Sequence, residues 1–117
     1  MKLELRSIAA PGDLGKERLV LKALADTDVG EYAVLWSGIG SSGGPTSGRK
    51  RAYWFPDVDV KVGDSVVLYT KKGNRSKKTL DGGTTAHFFY WGSENPLWDE
   101  NHYAVLLFVS DWEYVTA

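Results

Sequence analysis

Apolar and polar residues alternate along much of this chain. Val58, Val60 and Val62 repeat at period two, Gly63-Asp64 interrupts, and Val66, Leu68 and Thr70 resume the same period. Period two places one set of side chains on one face of a strand, and Gly-Asp is turn chemistry, so residues 58–70 predict a β-hairpin. Leu3 and Leu5 alternate with charges in the same way until Pro11-Gly12-Asp13 stops the run. Leu19, Leu21 and Ala23 share a face of a second strand, residues 26–30 read as a turn, and Tyr32, Val34 and Trp36 are in phase on a third.

A Gly/Ser/Pro loop fills residues 37–48, after which residues 51–55 re-enter as a strand. Pro56 has no N–H for a ladder and suits a strand end. Residues 71–78 read as a polar, basic loop. Residues 84–91 predict a strand with His87, Phe89 and Trp91 on one face and Phe88 and Tyr90 on the other. Residues 103–109 form an unbroken apolar run suited to a central strand, and residues 111–115 a short closing strand. No segment carries a capped helical period. Seven to nine short strands separated by turns predict an all-β fold, a sandwich or a barrel.

Composition narrows the class further. The 117 residues suit one domain, and five Trp, six Tyr and four Phe favour strands and large packing contacts. The absence of cysteine excludes disulfides, thiolate metal sites and a cysteine nucleophile. Charges interleave with leucines at the N-terminus, unlike a signal peptide, and no run reaches the roughly 20 apolar residues of a membrane helix. The expectation is a cytoplasmic protein, or one domain of a larger one, with no membrane association.

Three segments carry a resemblance. Residues 17–21 followed by 31–35 are similar to the opening strand pair of the lamin-tail domain family. Phe55-Pro56 followed by residues 60–68 resembles that family's central Phe-Pro and Val-Val signature, although Val62 stands where Pro is usual. Trp98 ahead of residues 103–107 resembles the Trp before its penultimate strand. The likeness spans roughly residues 14–110. It implies an immunoglobulin-like β-sandwich over residues 1–117 that binds or tethers, with no catalytic residues to transfer.

Motifs for other chemistries lack their context. Gly38-Ile39-Gly40-Ser41-Ser42-Gly43 spells G-x-G-x-x-G, but Gly44-Pro45 follows where a helix must open. Residues 43–50 miss the Lys-Ser/Thr of a phosphate loop. Asp57, Asp59 and Asp64 do not keep calcium-loop spacing, and Asp26, Asp28 and Glu31 read as turn residues. His87 and His102, the only histidines, have no partnered base or nucleophile in sequence, so neither catalysis nor a metal or cofactor is expected.

Two candidate surfaces remain. Arg49, Lys50, Arg51, Lys71, Lys72, Arg75, Lys77 and Lys78 hold eight of the fourteen positive charges in a chain of net charge −1. Converging on one end of a sandwich, they would bind nucleic acid or another polyanion. Tyr90, Trp91 and Trp98 flank a Gly/Asn/Pro turn and offer an aromatic platform for a sugar or a protein. The leading expectation is a binding or scaffolding module whose partner is another protein, with unpaired edge strands as a route to a dimer.

Overall fold

A computed structural model describes residues 1–117, and it is all-β. Ten strands occur in chain order: β1 (Leu3–Ala9), β2 (Arg18–Ala23), β3 (Thr27–Asp28), β4 (Tyr32–Gly38), β5 (Arg51–Trp54), β6 (Asp59–Val60), β7 (Ser65–Tyr69), β8 (Ser76–Thr79), β9 (Thr85–Tyr90) and β10 (His102–Phe108). The one helical element is a 3-10 turn at Val29–Glu31, so no helix is long and apolar enough to cross a membrane. The strands form a five-stranded sheet, β1-β2-β7-β9-β8, a three-stranded sheet, β10-β4-β5, and the small pair β3-β6.

The two larger sheets face one another across a shared core, as the layers of a β-sandwich do. Leu19, Leu21, Val66, Leu68 and Phe89 project from one sheet, and Tyr32 and Val34 from the other. Phe55 bridges them, edge-on to Phe89 at 5.2 Å. The period-two positions of β2, β4, β7 and β9 supply this core. Full burial of each Leu or Val stabilises the fold by roughly 1.5–3 kcal/mol.

The expected hairpin over residues 58–70 does not form. β6 pairs with β3, Thr27 opposite Val60, whereas β7 pairs antiparallel with β2 and parallel with β9. Gly63 takes φ +89°, and the turn it begins is bound to β2 from both sides: Gly63 N–H donates to Ala23 O, and Ala23 N–H to Asp64 O. The chain is therefore handed from one sheet to another. Periodicity specified two strands without specifying that they pair.

Three further expectations need correcting. Residues 76–79, read as loop, form the edge strand β8 against β9, where lysines along its length suit a solvated edge. β10 pairs only with β4 and so is an edge strand, not a central one. Residues 111–115 join no ladder; Tyr114 and Val115 lie in solvent.

Buried acids fasten the loops. Glu17, with no exposed surface, accepts from Thr70 Oγ1 at 2.6 Å, Gly12 N–H at 2.7 Å, Leu97 N–H at 2.8 Å and Trp98 N–H at 3.3 Å. Asp64 accepts from Lys61 N–H and Thr85 N–H and lies 2.9 Å from His87 Nε2. Burial pushes the Asp64 carboxyl upward, but the His87 hydrogen bond and the two backbone donors together outweigh it and hold the group below the ordinary carboxylate range.

Candidate protein-interaction surface

The register of the three-stranded sheet sorts its side chains into two faces. Tyr32, Val34 and Trp36 of β4 lie opposite Phe108, Leu106 and Ala104 of β10, and all of this set except the exposed Phe108 packs in or against the core. The alternate set points outward: Ala33, Leu35 and Ser37 on β4, Leu107, Val105 and Tyr103 on β10, and Trp54 and Ala52 on β5. Not one of these eight is charged. Ala33 and Ser37 of this set are buried, and Ser37, the single serine, donates to Gly38 O and accepts from Thr46 N–H. The Tyr103 hydroxyl donates to Gly43 O at 2.6 Å. An antiparallel sheet with a solvated face ordinarily alternates apolar and polar residues, and this one does not.

The five-stranded sheet shows what the same chain does with a wetted face. Its outer side carries Glu4, Arg18, Lys22, Ser65 and Lys78 among apolar residues. The edges differ in the same way. β1 has Glu4, Arg6 and a bulge between Leu5 and Ser7, β8 has Lys77 and Lys78, and β5 has Arg51. Charges and bulges of this kind keep edges from pairing with other chains. β10 carries only His102, at its first position.

Beyond the free edge of β10 the apolar surface continues into a groove of about 700 Å³ between β10 and β1. Leu3, Leu5, Leu24, Tyr103, Val105 and Leu106 line it, with Glu4 as the one charged side chain. On the far side of the sheet, Trp54 is half exposed and donates through Nε1 to Gly30 O at 2.7 Å. Trp112 meets Trp54 edge-on at 5.4 Å, and Tyr114 follows at 5.8 Å from Trp112. Met1, Leu24 and Tyr103 are exposed at the groove, and Leu107 and Trp54 are exposed on the outer face of the same three-stranded sheet as Tyr103.

The basic residues divide among separate places. Arg49, Lys50 and Arg51 line a cleft with Trp36, Thr46 and His102, whereas Arg75 and Lys77 line another with Val58, His87 and Phe89. Lys71 lies 5.0 Å from the centre of the Tyr69 ring, and Lys72 pairs with Glu94 at 3.3 Å. Lys78 stands on the outer face of the five-stranded sheet beside Ala86. Tyr53 sits near Arg75; burial raises its phenol above the ordinary range, with the Arg75 charge acting in the opposite sense.

The three aromatic candidates do not share a face. Tyr90 stacks on Tyr69 at 5.4 Å on the outer side of its sheet. Trp91 meets Trp98 edge-on at 6.1 Å, and Trp98 is buried with 3% of its surface exposed. Trp91 also packs 5.9 Å from Tyr53, so it pins the 91–98 loop to the core.

The outer face was absent from the sequence candidates, yet its signal was there. The unbroken apolar run at residues 103–109 and the run at residues 32–36 are apolar on both faces of their strands. Comparison with known protein families, with curated proteins and with solved structures gave no match.

Proposed function

We propose that this protein is a non-catalytic, cytoplasmic binding module that docks another protein on the outer face of its β10-β4-β5 sheet. The observation that carries this reading is the absence of any charge among the eight outward residues of that sheet. Contiguous exposed apolar patches beyond a few hundred Å² mark interaction sites in soluble proteins. Trp54, Trp112 and Tyr103 supply the large, rigid rings on which interface energy concentrates. The partner presents an apolar surface of its own, since charged groups placed here would lose hydration with nothing opposite to compensate.

The reading includes an immunoglobulin-like sandwich of lamin-tail type. Its support is that Phe55, Trp98, Leu19 and Leu21 of β2, Tyr32 and Val34 of β4, and Val66 and Leu68 of β7, all within the segments that carried the resemblance, are core residues. A family of binding and tethering domains without catalytic residues fits a docking face.

Site-specific photo-crosslinking tests the proposal. A benzophenone side chain at Leu107 should give a discrete adduct in cells, whereas the same group at Val62, also exposed and apolar but away from this face, should not. Equal adducts at both positions, or none at Leu107, would remove the face as the docking surface.

A further inference from the structure

We infer that the cleft at the start of β10 binds the dianion of a phosphate monoester. The cleft measures about 340 Å³ and is lined by Trp36, Thr46, Arg49, Lys50, Arg51 and His102 together with Gly38. Three cations and an imidazole face it, and no carboxylate lines it. Arg49, Lys50 and Arg51 take part in no ion pair, as is true of most cations of this chain.

The walls are organised before any ligand arrives. Trp36 lies on β4 between β10 and β5. From β10, the His102 ring stacks on its indole at 4.1 Å and 15°; from β5, the Arg51 guanidinium sits 5.3 Å from the ring centre. The indole is itself fixed, its Nε1 donating to Leu97 O. Asp99 Oδ1 holds His102 Nδ1 at 2.7 Å, and the hydrogen bond from His102, with the Asn101 N–H, keeps the Asp99 carboxyl below its ordinary range. His102 Nε2 is the ring nitrogen left without a protein partner. Lys50 Nζ donates to Thr46 Oγ1 at 3.0 Å, Ser47 O at 2.9 Å and Arg49 O at 3.4 Å, which folds the 46–50 segment back on itself beside Arg51.

Guanidinium groups match phosphate oxygens in pairs, and preformed placement reduces the entropy lost on binding. Two features favour a monoester over a nucleic-acid strand. The Trp36 ring is already covered by His102 and Arg51 and offers no stacking platform to a base. Arg75 and Lys77 line a different cleft and are not part of this one.

The test is a titration with inorganic phosphate and then glycerol phosphate at fixed pH and ionic strength, read by NMR on the two histidine rings. His87, held by Asp64 in the separate cleft of Arg75 and Lys77, reports whether a second basic cleft responds in the same way. Saturable movement of His102 without His87 is expected, weakened about tenfold by Arg49→Gln or Arg51→Gln and less by Arg51→Lys. Near-ultraviolet circular dichroism verifies that each variant is folded. Movement of both rings alike, the same response to chloride, or unchanged affinity in both Gln variants would overturn the site. Dimethyl phosphate binding as tightly as glycerol phosphate would overturn the monoester assignment.

Discussion

The Thr70 hydroxyl donates to Glu17 Oε1 across 2.6 Å, and both side chains are out of solvent. Glu17 has no cation beside it; its carboxyl oxygens accept from one hydroxyl and three backbone N–H groups from the 12, 97 and 98 positions. No buried side-chain nitrogen or oxygen in the protein lacks a partner. Removing the carboxylate orphans four donors at once. Glu17→Ala should cost about 3–5 kcal/mol, and Thr70→Val, which removes one donor, about 1–2 kcal/mol. Urea unfolding of both variants measures the difference.

Asp64 gives the fold a pH dependence. Its carboxyl is held below the ordinary value of 3.8, so the folded state binds its proton less readily than the unfolded chain does. The stabilisation is therefore complete above the ordinary value and is lost as pH falls through the lowered one. The wild-type urea midpoint should drop as pH goes below about 4. Asp64→Asn should be less stable at neutral pH and show a shallower fall over that acid range.

Gly73 stands against the ring of Tyr90, where an added Cβ would overlap the ring carbons. Gly73→Ala should displace Tyr90 from its stack on Tyr69 and destabilise by about 1–3 kcal/mol. Loss of near-ultraviolet tyrosine signal together with a lower melting temperature is the expected pair of changes.

Leu107 is 39% exposed on the outer face of an edge strand. Leu107→Lys should change folding stability by less than about 1 kcal/mol, since exposed substitutions away from packing contacts have small effects. Its thermal unfolding should superimpose nearly on wild type. Leu21→Ala, by contrast, empties a position with no exposed surface and should cost about 2–5 kcal/mol.

Local periodicity alone makes much of the core legible. Leu19, Leu21 and Ala23, then Tyr32 and Val34, then Val66 and Leu68 are buried on the faces that period two assigns. Pairing is less accessible, because it is set by distant groups. The Gly63-Asp64 turn is tied to Ala23 and Thr85, and nothing within residues 58–70 reveals that. The polarity of Lys77 and Lys78 concealed β8, where charge belongs on an edge. The opposite error befell residues 103–109: apolar side chains on both faces imply a strand covered on both sides, and within this chain β10 is covered on only one. In the proposed reading that mismatch is the docking face. The Arg49–Arg51 cleft required a register, since Trp36, Arg51 and His102 meet only because β5 and β10 flank β4.

The most direct test compares partner capture by three proteins: wild type, Leu107→Lys, and a Lys77→Gln/Lys78→Gln double variant, each at low and high salt. The outer-face account predicts that one protein is retained by wild type and by the double variant, is lost with Leu107→Lys, and is held equally at both salt concentrations. Retention that survives Leu107→Lys but vanishes in high salt or in the double variant would contradict it and place binding on the basic strand β8.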